Sequence, residues 1–121
     1  MINVRRVYDL AGPDEGTRFL VDRLWARGLK REALGATWLR EVAPSNELRQ
    51  WFSHDPQKWN EFQQRFALEL DGKPEAWQPI VEAAQSGTVT LLYSARETEH
   101  NNAVALKAYL ERMMKAPRGE A

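Results

Sequence analysis

The sequence predicts a small α/β domain, a mainly parallel sheet of about three to five strands with a helical insertion before the last strand. Three observations carry this prediction. Short β-rich runs open the chain, and a stronger one, Thr88-Val89-Thr90-Leu91-Leu92-Tyr93, returns near its end. Between them the apolar spacing changes from alternation to threes and fours. Glycine, proline, aspartate and serine punctuate each change. At 121 residues the chain suits one domain, placed at 1–115, with a frayed tail at 116–121 carrying Pro117 and Gly119.

Val4-Arg5-Arg6-Val7-Tyr8 reads as the first strand, closed by the turn-rich stretch from Asp9 to Gly16. Arg18 to Trp25 reads as the second, its central apolar run indicating burial on both faces. Lys30 to Leu34 makes a brief helix. Residues 36–42 alternate as a strand does, although a helix fits them as well, and they stop at Ala43-Pro44-Ser45. Ser45 is a good N-cap for a helix over Asn46–Ser53, with Glu47 where the helix dipole favours a negative charge. Asp55 caps the next helix with Pro56 at its first position. Trp59, Phe62, Phe66 and Leu70 then share one face up to Gly72. Pro74 opens another helix that ends at Gly87, and Pro79 kinks it unless the helix starts nearer Trp77. After the strand at 88–93, Ala103, Leu106, Leu110 and Met113 share a face of the last helix.

Hydrophobic residues make up 43% and charged residues 28% of the chain, close to globular averages, so it can bury a core. The 17 basic and 17 acidic side chains cancel, which argues against binding driven by bulk positive charge. The balance is uneven along the chain, +3 over residues 1–31 and −4 over 41–82, so an anion site has to be local. Arginine outnumbers lysine twelve to five, and its planar fork suits carboxylate and phosphate. The plainer reading is that these arginines pair with the acidic helices. No cysteine is present, which removes disulfides, thiolate nucleophiles and Cys-ligated metals. No apolar window approaches a membrane span and no signal-like segment follows the first residues, so a cytoplasmic protein without membrane association is expected.

In parallel sheets ligands bind where loops leave the carboxyl ends of the strands. Three loops qualify: Asp22 to Gly28, Pro44 to Arg49 and Tyr93 to Asn102. If they meet, they assemble Arg23, Arg27, Ser45, Arg49, Arg96 and Asn101 into an anion-binding cleft, with Trp25 as a stacking surface. Against this, Asp22-Arg23 reads as an internal ion pair, and Trp38, Trp51, Trp59 and Trp77 read as core. Ser94 sits where a strand-to-helix nucleophile would, but it lacks flanking glycines and a histidine placed to activate it. His100 is the one candidate proton carrier in these loops, and His54 fits a helix-entry turn. Two histidines 46 residues apart make no zinc spacing, and no Walker or dinucleotide fingerprint occurs, so neither metal nor cofactor is expected.

The strings Arg6-Val7-Tyr8-Asp9, Arg18 to Gly28, Ala43 to Arg49 and Leu91 to Arg96 resemble the YeaO-like family of bacterial proteins, also called domain of unknown function family 488. The resemblance extends through Trp51 to Pro56, Phe62, Arg65, Glu69-Leu70 and Asn101-Asn102-Ala103. It implies a single α/β domain in the bacterial cytoplasm and no particular reaction. Ala26 stands where the family usually has proline, Phe66 where it has tyrosine, and Glu97 where aspartate or asparagine is common. A broader group of relatives carries a cysteine near the end of the last strand, where this chain has Tyr93-Ser94-Ala95, so thiol chemistry does not carry across.

The expected function is therefore binding of an anionic small molecule, with or without catalysis by His100 or Ser94. The alternative is a regulatory module that binds nucleic acid or a protein through Arg5, Arg6, Arg18 and Arg27 beside Trp25. A third reading is a homo-oligomer whose interface is filled by Trp51 or Trp77.

Overall fold

Four strands form one parallel sheet in a computed structural model that describes residues 1–115. The expected tail at 116–121 lies outside the described residues. The strands are β1 (Ile2–Arg6), β2 (Thr17–Leu20), β3 (Thr37–Trp38) and β4 (Val89–Tyr93), in the spatial order β1-β4-β2-β3. The last strand in sequence thus takes a central place. Ile2 to Arg6 pair with Val89 to Tyr93 on one side, and Thr17 to Leu20 pair with Val89 to Leu92 on the other. All five residues of β4 are buried, as its continuous apolar run requires.

A parallel sheet needs cover on both faces. Helices α2 (Asn46–Phe52), α3 (Trp59–Asp71) and α4 (Pro74–Ser86) fall between β3 and β4, and α5 (Asn102–Lys115) follows β4. Their apolar residues, with Phe62, Phe66, Leu70, Ile80, Leu106 and Leu110 almost fully buried, pack against Ile2, Phe19, Val21, Val89, Leu91 and Tyr93. The opposite face is covered more thinly. Leu20 and Leu92 meet Val7, Ala26 and Leu34, the last from the short α1 (Arg31–Leu34), with Trp25 and Trp38 packed alongside.

Residues 36–42 form a strand only at Thr37 and Trp38, and a 3-10 turn over Arg40–Val42 follows. As the edge of the sheet, β3 pairs on one side alone, and burial of Val42 draws the chain away from it. The second strand is also shorter than its apolar run. It ends at Leu20, although the Val21 N–H still donates to the Leu92 carbonyl at 3.1 Å, and Leu24 is 69% exposed. Pro79 sits inside a helix that begins at Pro74. Pro79 and Glu75 are both exposed, so water replaces the one hydrogen bond the proline removes. Trp38, Trp51, Trp59 and Trp77 are half-buried and packed against the core, and the Trp77 indole donates to the Leu70 carbonyl at 2.9 Å.

On the thinly covered face, Glu15 ties the turn before β2 to the sheet. It accepts from the Arg5 guanidinium, with one N–H at 3.0 Å, and lies 3.5 Å from Arg18. Its backbone carbonyl accepts the hydroxyl of buried Thr90 at 2.8 Å. Burial alone pushes the Glu15 carboxyl up, but Arg5 and Arg18 outweigh it and hold the group below its ordinary value of 4.5. A lowered carboxyl pKa contributes stability that is present above the unfolded value and lost as pH falls through the folded one. Acid titration of unfolding is therefore expected to show stability falling below about pH 4.5, and Glu15→Gln is expected to flatten that limb. An unchanged acid limb would remove Glu15 from this role.

Candidate functional site

The three loops named from the sequence meet in one cleft of about 890 Å³ at the carboxyl ends of the strands. Arg23, Trp25, Arg27, Arg49, Ser94, Arg96, His100 and Asn101 all line it. Arg6 and Tyr8, at the end of β1, line it too, as do Asp22, His54 and the largely buried rings of Phe52 and Phe62. The rule that selected the other loops also covers the end of β1, so Arg6 and Tyr8 were available from the sequence by the same argument.

Asp22 holds the centre of this arrangement. Its Oδ2 accepts the Ser94 N–H at 2.9 Å and the Ser94 hydroxyl at 2.7 Å, and its Oδ1 accepts the Asn102 amide at 3.1 Å. The Asn102 amide also donates to the Val21 carbonyl at 3.0 Å. The carboxylate thus continues the ladder by which β2 and β4 are joined, after the backbone of β2 has turned away. The expected Asp22-Arg23 ion pair does not form, because both carboxylate oxygens are engaged across the sheet.

The guanidiniums divide into two groups. Arg6 donates to the Ala95 carbonyl at 3.0 Å and lies 4.9 Å from the centre of the Tyr8 ring, while Arg49 donates to Asn46 at 3.0 Å. Arg23, Arg27 and Arg96 have no hydrogen-bond or ion-pair partner among the described residues. Backbone bonds place two of them: the Tyr8 hydroxyl donates to the Arg27 carbonyl at 2.8 Å, and Arg96 follows Ala95, whose carbonyl Arg6 holds. These three cations lie on loops that follow two neighbouring strands, and Asp22 is the one carboxylate among the residues lining the cleft. The cleft is therefore electropositive, and bidentate contacts to phosphate or carboxylate are the chemistry it can perform.

Three expected roles change. Ser45 does not line the cleft. Its N–H and hydroxyl donate to Glu69 of α3 at 2.9 and 2.6 Å while its Oγ accepts the Leu48 N–H at 3.1 Å, so it joins α2 to α3. Asn101 lines the cleft but spends its side chain at the start of α5, donating to the Glu97 carbonyl at 2.8 Å and accepting the Val104 N–H at 2.9 Å. It positions the loop. The Ser94 hydroxyl proton points to Asp22, so it offers an anion no donor.

His100 stands at the cleft wall, its ring 5.1 Å from that of Trp59 at an angle of 69°. Its Nδ1 is buried, has no hydrogen bond and faces the Glu97 carboxylate at 3.5 Å. The backbone N–H groups of Glu99 and His100, donating to Glu97, hold that carboxyl below its ordinary range. His54, read from the sequence as a helix-entry turn, also lines the cleft. It and Ser53 adopt left-handed backbone at φ 57° and 49°, two consecutive strained residues that turn the chain from α2 towards α3. Phe66 is 1% exposed within the core, so the tyrosine hydroxyl that the family usually has there would be buried.

Sheet, helical layer and cleft define a small parallel α/β domain with an arginine-lined cleft at its strand ends. The family described as the inactive DUF488-N3 subclade matches residues 1–121, and the chain belongs to this YeaO-like DUF488 family. It is 37% identical over 110 residues to the uncharacterized protein YeaO of Escherichia coli strain K12, covering 90% of this chain and 96% of the relative. Uncharacterized proteins of Mycobacterium bovis and Mycobacterium tuberculosis are 34% identical over 110 residues, covering 90% of this chain and 92% of theirs. No solved structure matches the chain significantly. No helix among the described residues is long and apolar enough to cross a membrane.

Proposed function

We propose that this protein binds an anionic small molecule, through phosphate or carboxylate, in the cleft at the strand ends, and that it acts in the cytoplasm. The observation that carries the reading is that Arg23, Arg27 and Arg96 line one cleft without partners among the described residues. Guanidiniums that line one cleft without a partner are open to an anion, which can accept hydrogen bonds from more than one of them. The family description, an inactive subclade, supports binding in preference to catalysis. Ser94 bonded to Asp22 supports the same preference, since its hydroxyl serves to join two strands. The nucleic-acid alternative loses ground because Arg5 and Arg18, two of its four arginines, are held by Glu15 on the thinly covered face of the sheet.

The test is calorimetric titration with inorganic phosphate, pyrophosphate and citrate at low salt. Binding is expected, and Arg23→Ala and Arg96→Ala are each expected to weaken it about tenfold, the effect of removing one charged hydrogen-bond donor. Because neither guanidinium has a partner among the described residues, both variants are expected to keep their unfolding free energy within about 0.5 kcal/mol. Failure of the unaltered protein to bind any of the three anions overturns the reading.

A further inference from the structure

The cleft is larger than a lone anion needs, and part of its lining is suited to something other than charge. At about 890 Å³ it lies in the range of sites for ligands of roughly 300–1,000 Å³, far beyond the space one phosphate fills. Beside the free arginines it offers the rings of Trp25 and Tyr8. The Trp25 indole N–H donates to the Leu29 carbonyl at 2.6 Å, and its ring meets Trp38 edge-on at 5.5 Å with Arg31 5.3 Å from its centre. Its one polar group is thereby spent within the loop, so what Trp25 contributes to the lining of the cleft is aromatic, apolar surface. The Tyr8 hydroxyl is likewise spent on the Arg27 carbonyl. Asn46 and Gln50 add amide groups able to meet the edge of a polar ring.

An anion site beside a fixed aromatic plane and amide groups matches a ligand that joins a phosphate to a planar heterocycle. Building on the anion-binding reading above, we propose that the ligand is a free nucleoside monophosphate, its phosphate held by Arg23, Arg27 and Arg96 and its base lying against Trp25. The charge count favours a monophosphate. Three free guanidiniums suit one doubly charged phosphate. Neutral net charge favours a free nucleotide over a polynucleotide.

The experiment titrates the full chain with inorganic phosphate, ribose 5-phosphate, the four ribonucleoside 5′-monophosphates and a 5′-phosphorylated trinucleotide. At least one monophosphate is expected to bind about tenfold more tightly than ribose 5-phosphate, the contribution of one stacked base. Trp25→Leu is expected to erase that difference, its affinity for the monophosphate falling to its own affinity for ribose 5-phosphate. The comparison among ligands uses the unaltered protein, so it stands even if that variant fails to fold. Equal affinity for ribose 5-phosphate and every monophosphate overturns the nucleotide proposal and leaves anion binding intact. Absence of binding to all of them, phosphate included, overturns both. A trinucleotide that binds more than tenfold tighter than any monophosphate, with a steep salt dependence, overturns the free nucleotide as ligand.

Discussion

Replacing Asp22 with alanine is expected to lower the unfolding free energy by about 2–4 kcal/mol. Three donors lose their acceptor together: the Ser94 N–H, the Ser94 hydroxyl and one bond of the Asn102 amide. These groups are only half-buried, so water compensates in part, which keeps the estimate below the sum for three orphaned groups. The damage is expected to be local in its first effect. Ser94 and Asn102 flank the loop that carries Arg96, so its backbone amides should exchange hydrogen faster than those of β4. Asp22→Asn keeps one carbonyl oxygen and loses the other acceptor, and it is expected to cost about half as much. Urea titration of the three proteins, with hydrogen exchange at Ser94, provides the check. A loss below about 0.5 kcal/mol for Asp22→Ala would show that the strand ends are held together by other contacts.

Gly16→Ala is expected to be equally severe for a different reason. Gly16 adopts φ +66°, and a Cβ there would lie 2.0 Å from the carbonyl oxygen of Thr88 and 2.6 Å from its carbon. The obstacle is backbone and cannot swing aside as a side chain does. The same Thr88 carbonyl accepts the Thr17 N–H at 3.0 Å, so any shift that relieves the clash disturbs the start of the pairing between β2 and β4. Left-handed backbone and overpacking each cost about 1–3 kcal/mol, which sets the expected loss at about 3 kcal/mol and the fall in melting temperature at roughly 10 °C. Gly12→Ala serves as the control. Nothing lies within 4 Å of its Cβ position, and it is expected to stay within about 0.5 kcal/mol of the unaltered protein. Equal behaviour of the two variants would show that the turn before β2 is free to move.

Both predictions concern places where the chain is held by contacts remote in sequence, and the same distinction explains which parts of the fold were readable. Helices α3 and α5 were legible because Trp59, Phe62, Phe66 and Leu70, and Ala103, Leu106 and Leu110, mark their inner faces by spacing alone. The N-caps of α2 and of the turn at Pro56 were legible because serine and aspartate at those points accept N–H groups two or three residues ahead, Leu48 and Gln57. Residues 36–42 were not legible. Their alternation of large and polar groups is that of a strand, but only Thr37 and Trp38 have a neighbour with which to pair. Strand length is decided by the partner.

The site divides along similar lines. The parallel-sheet rule picked out the arginine-bearing loops at strand ends, and the order of the strands decided that they share a cleft. What each side chain does there did not follow. Ser45, Asn101 and Ser94 are polar residues in the right loops, yet their bonds go to Glu69, to the turn at Glu97 and to Asp22. Asp22 looked like the partner of its neighbour Arg23, although it bonds to residues 72 and 80 positions away. By itself the sequence determined the α/β class, the local helices with their caps, the absence of thiol chemistry and the loops that line the cleft. Those properties depend on residue type and on spacing within a few turns. The tertiary structure alone decided that β4 enters between β1 and β2, that Asp22 joins two strand ends, and that, of the arginines lining the cleft, Arg23, Arg27 and Arg96 have no partner among the described residues. Hydrogen bonds and ion pairs are short-ranged, and which groups come within reach is settled only when the sheet has closed.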